Sequence, residues 1–401
     1  MPAPTVRRLS QALNIEDLRT IARRKLPAFA FSYVESGAED HATLHHNREV
    51  FTGLHMVPRQ LRDMSAIDTG TAFFNRPVSL PIAICPTGYN GMLSRHGDLK
   101  LARAARSFGI PFIQSTMSTS SIEEVAAELQ GSAHWFQLYV LKDRAISQRL
   151  MQRAADAGCE TLVITTDSVL LGNREDDKRN FARPQVLTLA NKLNTALHPR
   201  WAMEVLWPDG VPIFGNLTEF LPKAQWSTAG GAHFISQQME RALDWSRIDD
   251  IRRDWPGKLV IKGLLHPEDI ALALDHGADG IILSNHGGRQ LDGAVSPMEQ
   301  LPEIVETYAS HCEIFLDSGF RRGSDIAKAL ALGAKGAFLG RATLYGLAAG
   351  GQEGAEAALQ MLSNELQTCM GQLGCATIKA LKTTQIRSAT TLPPPRAPQR
   401  D

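Results

Sequence analysis

The chain has 401 residues, of which 43% are hydrophobic, enough for a large buried core. Lys and Arg number 42 and Asp and Glu 42, so charge gives no argument for a nucleic-acid partner. The five cysteines (85, 159, 312, 369, 375) lack zinc spacing and suit reduced thiols, and no run of about 18 apolar residues could span a bilayer. Met1 to Arg8 lacks the apolar centre of a secretion signal, so a cytoplasmic location is expected.

The first 60 residues read as polar helices. Asn14 is a helix-starting residue, and Pro27 marks a break before a second helix. His41 and His45 stand four apart, but the residue after His41 is Ala42 and not the Glu of a zinc-protease motif, so both are read as structural. From residue 81 onward short apolar runs alternate with amphipathic stretches. The runs are 81–85, 111–114, 134–139, 161–165, 258–262, 279–284, 313–317 and 336–340. Continuous apolar runs of this length suit parallel strands covered on both faces. Eight strands alternating with helices predict an α/β fold of the (β/α)₈ TIM-barrel class, preceded by a helical segment. The alternative, an open doubly wound sheet, would carry a Gly-x-Gly-x-x-Gly turn, and none follows any run. One connection is long: after the fourth strand, residues 186–226 have no clean period and read as an insertion over the barrel mouth. A single domain over 1–392 is expected, with a disordered proline-rich tail at 393–401.

A barrel holds its functional groups at the C-terminal strand ends. Polar residues stand there in every case: Pro86, Thr87 and Gly88; Ser115; Gln137 and Tyr139; Thr165 and Asp167; Lys262; Ser284 and His286; Asp317 and Gly319; Gly340 and Arg341. The stretch Ser284 to Gly293, Ser-Asn-His-Gly-Gly-Arg-Gln-Leu-Asp-Gly, places a base, His286, three residues before a fixed cation, Arg289. Imidazole titrates near neutral pH, and a guanidinium grips a carboxylate with two hydrogen bonds. The pair suits a substrate with a carboxylate beside an acidic proton, and the two glycines would admit a bound molecule closely. Asp317, Gly319, Arg321 and Arg322, with Gly340 and Arg341, end the seventh and eighth strands, where barrels bind phosphate. That phosphate belongs to a cofactor or to a free substrate. Lys262, buried in the mouth, favours a cofactor that faces it with negative charge; a protein carboxylate is the structural alternative.

The His286 stretch resembles the signature of the FMN-dependent 2-hydroxy acid oxidases and dehydrogenases, and the resemblance extends from about Leu18 to Ile378, strongest toward the mandelate dehydrogenases. It implies FMN as cofactor, with Pro86, Thr87, Gly88, Ser115, Gln137, Thr165, Lys262 and Ser284 around the ring and Asp317, Gly319, Arg321, Gly340 and Arg341 at the phosphate. It implies His286 as base, Asp167 as its partner, Lys262 and Tyr139 as further catalytic groups, and Tyr33, Tyr139, Arg174, His286 and Arg289 as the substrate site. No metal is implied. The loop carrying Arg174 is about one residue shorter than the family pattern. Expected, then, is oxidation of a bulky or aromatic (S)-2-hydroxy acid such as mandelate to the 2-oxo acid, with Met117 and Leu171 as apolar pocket wall. Gly88, where the oxidases carry Ala, goes with a quinone-type acceptor and not oxygen. An O₂-using oxidase of lactate- or glycolate-like acids, a flavin-dependent isomerase, and a barrel that only binds a phosphorylated ligand are the alternatives. The family is commonly tetrameric. The insertion, with Trp201, Trp207, Met203, Val205 and Leu206, is read as a peripheral dock on the inner face of the cytoplasmic membrane, with a lid or a subunit contact as the alternatives.

Overall fold

The computed structural model describes residues 7–183 and 186–388; the tail at 393–401 lies outside the described residues. Three helices come first: α1 (Ile15–Lys25), α2 (Ala28–Glu35) and α3 (Ala42–Thr52). Asn14 caps α1 by accepting from the Asp17 amide at 3.0 Å, and Pro27 precedes α2 as the sequence predicts. Eight parallel strands then close into a barrel: β1 (Ile82–Ile84), β2 (Phe112–Ser115), β3 (His134–Leu138), β4 (Thr161–Thr165), β5 (Lys258–Leu264), β6 (Gly280–Leu283), β7 (Glu313–Leu316) and β8 (Gly336–Leu339). Pairing of Val260 with Val163 and Ala337 with Ile82 shows closure on both sides of the ring.

Helices follow each strand. These are α4 (Gly97–Ser107), α5 (Ile122–Leu129) and α6 (Arg144–Asp156), then after β4 a group of five, α7 (Glu175–Arg179), α8 (Leu189–Ala196), α9 (Pro199–Leu206), α10 (Thr228–Gln238) and α11 (Trp245–Asp254). The ring ends with α12 (Pro267–Asp275), α13 (Pro297–Tyr308), α14 (Gly323–Ala331) and the long α15 (Arg341–Leu373), kinked at Gly350 and Gly351.

Strand side chains alternate between two faces. One set enters the lumen: Ala83, Ile113, Trp135, Val163, Val260, Ile282, Phe315 and Phe338, one from each strand, all buried in a single cluster. A hairpin, Thr71–Phe73 and Arg76–Val78, caps the lumen from below with Phe73. The ring centroids of Phe73 and Phe315, and of Phe315 and Phe338, are both 4.9 Å apart. The other set, including Ile82, Ile84, Phe112, Phe136, Ile164 and Leu316, packs outward against the helices. This dry floor leaves polar function only at the upper strand ends.

The insertion is more ordered than its sequence suggests. Thr188 caps α8 and Pro199 opens α9, each only eight residues long, too short to show a helical period among the surrounding prolines. It bridges the mouth. Asn216 donates to the Ser115 carbonyl at 3.1 Å, the Gly215 amide to the Ser118 carbonyl at 3.1 Å, and the Trp201 indole to the Met92 carbonyl at 2.9 Å. The assignment of Trp201 and Val205 to an outer surface is corrected: both are buried, Trp201 edge-on to Phe29. Leu189, Leu193, Leu197, Met203 and Trp207 are among the exposed apolar residues of this segment, with Val186, Val211 and Trp226, Trp207 at 74%. Among the described residues no helix is long and apolar enough to cross a membrane.

Truncating the lumen floor should cost stability without touching the mouth. Phe315→Ala is expected to lose about 3–5 kcal/mol, read by chemical denaturation; a loss below about 1 kcal/mol would mean that the floor is not packed as described.

Candidate active site

Two residues beyond each lumen side chain, the chain points inward again, one layer higher. Those positions are Cys85, Ser115, Gln137, Thr165, Lys262, Ser284, Asp317 and Gly340. Seven of the eight are residues the sequence singled out for the cofactor. The eighth, Cys85, was not, although the same two-residue step locates it; its thiol lies 3.7 Å from Asp317, and burial pushes it well above the usual thiol range.

The layer is a connected network. Lys262 Nζ lies 3.2 Å from Asp317 Oδ2 and donates to Ser284 Oγ at 2.9 Å, while Ser284 donates to Asp317 Oδ1 at 2.7 Å. Burial opposes the ammonium charge, but Asp317 and Asp167 more than offset it and raise the Lys262 pKa. The sequence argument from Lys262 is therefore corrected: its counter-charge is a protein carboxylate, so its burial alone does not require a ligand's negative charge. Ser115 Oγ donates to Gln137 Oε1 at 3.1 Å.

Above this layer His286 meets Asp167. Imidazole Nδ1 and Asp167 Oδ1 are 2.9 Å apart, and Ser168 donates to the same carboxylate oxygen at 3.0 Å. Nδ1 is thus engaged, which leaves Nε2 as the nitrogen that can take a proton. Burial lowers the His286 pKa, Asp167 opposes this, and Lys262 lowers it again; the ring is neutral at neutral pH. Burial would raise Asp167, but His286 and Lys262 bring it down to about 2. Gly287 and Gly288 have φ of +66° and +74°, and a Cβ on them would meet Arg341 Nη1 at 2.7 Å and the Leu44 amide at 2.5 Å. The close approach they permit is to Arg341 and α3, where the sequence reading had a bound molecule.

Arg289 donates through Nη1 to the carbonyls of Tyr33 at 2.7 Å and Ser36 at 2.8 Å, and lies 5.0 Å from the Tyr33 ring. Burial and Arg174 lower its pKa to about 9, so it stays charged near neutrality. Arg174 donates through Nε to the Arg289 backbone carbonyl at 3.2 Å, and its charge acts on the Arg289 guanidinium, so the two cations are neighbours. Tyr33 donates to the Gly88 carbonyl at 3.3 Å. Tyr139 is raised by burial and Asp167, and lowered by Arg174 and Lys262, which places it among these groups. Met117 is buried beside Gly88, where an added Cβ would lie 2.8 Å from its own, whereas Leu171, expected in the pocket wall, is exposed.

Next to Arg289, and sharing the Ser36 carbonyl with it, Arg341 donates to the carbonyls of Val34, Gly287 and Ser36 at 2.8, 2.9 and 2.9 Å. Arg321 lies 5.5 Å from the Tyr345 ring, and Gly319 against the Asn47 carbonyl. Gly340 opens α15, and a Cβ there would meet nothing within 4 Å, so the helix N-terminus faces free space suited to an anion. His41 pairs with Asp176 at 3.3 Å, and no cluster of metal-ligating side chains occurs among the described residues.

Three residues were missed. Gln290 donates to the carbonyls of Asp167 at 2.7 Å and Leu170 at 3.3 Å, and accepts from the Gly172 amide at 3.0 Å and Arg174 at 3.2 Å. All four valences of one amide pin the loop after β4 to the loop after β6. Asp98 accepts from Asn90 at 2.7 Å and from Thr119 at 2.9 and 2.6 Å, tying the loops after β1 and β2 together. Asp177 lies 3.6 Å from Arg289 Nη2. Gln290 stood within the quoted signature and was legible there as a polar side chain between two loops; Asp98 and Asp177 sit in ordinary acidic helix starts and carried no signal.

A barrel mouth with a His–Asp couple, neighbouring arginines and an open helix N-terminus suits an enzyme that takes an anionic substrate and a phosphorylated ligand. The chain matches the FMN-dependent dehydrogenase family model over residues 22–388, and it belongs to that family. It is 44% identical to (S)-mandelate dehydrogenase of Pseudomonas putida over 93% of each chain, and 39% identical to L-lactate dehydrogenase of Acinetobacter baylyi over 90% of this chain and 94% of that one. Its fold matches a crystal structure described as the monotopic membrane protein (S)-mandelate dehydrogenase with a TM-score of 0.89 at 42% identity, covering 94% of this chain and 99% of the other.

The residues present fit FMN. Gln137 Nε2 and Arg289 Nη2 are buried donors without a hydrogen-bond partner among the described residues. Such groups are costly unless a bound molecule satisfies them, and a ring edge bearing acceptors and a carboxylate would do so.

Replacing Gln290 by Met keeps its length and removes all four hydrogen bonds. The expected result is about 2–4 kcal/mol less protection of backbone amides 167–174 in hydrogen exchange, with the barrel strands unchanged. Unaltered exchange in that loop would show that Gln290 does not hold it.

Proposed function

We propose that this protein oxidises (S)-2-hydroxy acids with a bulky or aromatic side chain, mandelate foremost, to the 2-oxo acids, and delivers the electrons to a membrane quinone. The observation that carries the reading is the 2.9 Å His286–Asp167 couple together with two neighbouring cations, Arg289 and the Arg174 that donates to its backbone carbonyl. FMN, when bound, supplies the acceptor for two electrons. Pro86, Thr87, Gly88, Ser115, Gln137, Thr165, Lys262 and Ser284 would hold its ring, and Asp317, Gly319, Arg321, Gly340 and Arg341 the side bearing its phosphate.

The substrate carboxylate takes the Nη2 edge of Arg289, which makes no hydrogen bond although Asp177 lies 3.6 Å away, and the charge of Arg174, a charge-assisted contact of fixed orientation. Tyr33 and Tyr139 bond the carboxylate and the 2-hydroxyl. That arrangement brings the reacting carbon to His286. Neutral His286 accepts a proton through Nε2, and ionised Asp167 stabilises the imidazolium that results. Lys262, with its charge balanced by Asp317, fixes a cation in the layer below. Met117 supplies apolar wall, and an apolar wall discriminates by only about 1–3 kcal/mol per methylene, so weaker turnover of aliphatic acids is part of the reading.

Gly88 supports a quinone over oxygen as acceptor, as the family pattern has it. The exposed apolar side of the insertion supports docking on the inner face of the cytoplasmic membrane, where a quinone resides. Two acids of the insertion, unfavourable beside anionic lipid, are engaged on the protein: Glu204 with Ser94 at 2.7 Å and Asp209 with Arg95 at 2.5 Å. A homotetramer of single-domain barrels is the assembly proposed.

Anaerobic (S)-mandelate should bleach the visible absorbance of the FMN-loaded protein. His286→Ala should keep the cofactor and slow bleaching by at least ~10². In the wild type, kcat/KM should fall as pH drops, through an ionisation below the ordinary histidine value of about 6.5, because the reactive form is the neutral ring and its pKa is lowered. Bleaching at the wild-type rate in His286→Ala would remove the base assignment, and bleaching by glycolate far faster than by mandelate would remove the substrate class.

Docking has its own test. Replacing residues 186–222 by a short linker should move the protein from native membranes to the soluble fraction and abolish quinone reduction while leaving bleaching by mandelate. A full-length protein that stays soluble beside native membranes overturns the anchor.

A further inference from the structure

A cleft of about 390 Å³ lies beside the barrel mouth, between the N-terminal helices and the insertion. Small-molecule sites occupy roughly 300–1,000 Å³. Two of its walls are shared with the active site. α2 gives Phe31 and Ser32 to the cleft, while its Tyr33 donates to the Gly88 carbonyl at 3.3 Å. α7 gives Asp176 to the cleft, while the next residue, Asp177, lies 3.6 Å from Arg289 Nη2. Ser36, also in the wall, holds Arg289 and Arg341 on its carbonyl at 2.8 and 2.9 Å. The thickness of one helix, ~10 Å, therefore separates the cleft from the substrate arginines. A third wall is the insertion. Asn194 accepts from the Ala28 amide at 2.7 Å, which ties α8 to the start of α2, and Asn194 and His198 both line the cleft. The same helix carries Leu189, Leu193 and Leu197 four residues apart, all exposed.

We propose that this cleft binds the head group of the quinone, so that the electron acceptor has a site of its own beside the substrate site. The inference rests on the function proposed above. A quinone head group is a flat, uncharged ring with carbonyl oxygens that accept hydrogen bonds, joined to an apolar tail. Leu26 and Phe31 give the ring an apolar wall. Ser36 Oγ is a buried donor that makes no hydrogen bond among the described residues, although it acts on the Asp177 carboxyl, and a carbonyl oxygen would satisfy it. His198 Nδ1 lies 2.7 Å from the Asn194 carbonyl, which can only accept, so Nδ1 carries its proton there. The leucine stripe of α8 gives the tail a path from the cleft to a bilayer. An anion is suited less well, because Glu35 and Asp176 line the same cleft; they are held by Arg19 at 2.5 Å and by Arg179 at 3.1 Å. The exchange balances without a further reactant. A 2-hydroxy acid loses two electrons and two protons in becoming the 2-oxo acid, and a quinone takes up two of each in becoming the quinol. With separate sites, the quinone need not wait for the 2-oxo acid to leave.

The two half-reactions can be read apart by anaerobic stopped-flow on the FMN-loaded protein in detergent, where membrane docking plays no part. The protein is bleached with (S)-mandelate and then mixed with a short-tailed ubiquinone analogue or with ferricyanide. Ser32→Trp fills the cleft from α2, and Ala28→Trp fills it from an exposed position that leaves the fold untouched. Both should slow reoxidation by the quinone about tenfold or more, and leave bleaching by mandelate and reoxidation by ferricyanide at the wild-type rates. Wild-type reoxidation by the quinone in the folded variants overturns this inference alone; a loss of binding to phosphatidylglycerol vesicles in the same variants would then assign the cleft to a lipid head group. A wild-type protein that mandelate bleaches but the quinone does not reoxidise overturns the inference together with the quinone acceptor on which it rests.

Discussion

The alternation of side chains along eight paired strands is the constraint on which the rest depends. Because the period is two and the barrel is closed, the residue at the floor of each strand fixes the residue at its mouth. Phe315 in the aromatic floor requires Asp317 in the polar layer; Val260 requires Lys262; Trp135 requires Gln137. A slip of one residue in β5 or β7 would turn Lys262 or Asp317 away from its partner toward the apolar shell between barrel and helices, at several kcal/mol of about ten available. The site's layout is therefore held by the cost of misplacing the core, not by bonds within the site alone.

The polar layer then survives burial because its charges are paired. Lys262 with Asp317, and His286 with Asp167, each bring a cation or potential cation against an acid in water-poor surroundings, where an unpaired charge would be lost by titration. The two couples are not independent. Lys262 depresses the His286 pKa while Asp167 supports it, so the imidazole is kept neutral yet has a carboxylate ready when it becomes charged. That combination is what proton abstraction near neutral pH asks of a base.

Much of this was legible in the sequence because it follows from period and punctuation. The eight strands, the α1 and α2 boundaries, and seven of the eight layer residues could be read from apolar runs and the polar residues that end them. What could not be read depends on contacts distant in sequence. Nothing local marks Asp317 as the partner of Lys262, so the buried cation pointed to a ligand that its own chain makes unnecessary. Gly287 and Gly288 are required by α3 and Arg341, which lie far away in the chain. In the insertion, composition told that aromatic residues were present but not their direction: α9 turns Trp201 and Val205 inward and Met203 outward, and a two-turn helix shows that only once its partners are in place. Asp98 escaped for a similar reason, since an acid that joins two loops has no signature in either.

The place of the insertion follows from the same geometry. It leaves the barrel between β4 and β5, on the side of Asp167 and Lys262, and makes its inner hydrogen bonds to the loops after β1 and β2, across the mouth. A segment that spans the opening in this way excludes water from the polar layer, and lower water content strengthens each charge pairing beneath it. Its inner side is accordingly mostly apolar, as Trp201, Phe214 and Leu217 show, whatever its outer side contacts. The exposed leucines, Met203 and Trp207 are free of that demand. Their apolar character serves no packing inside the chain, which is why they carry the reading of a surface made for contact with something else.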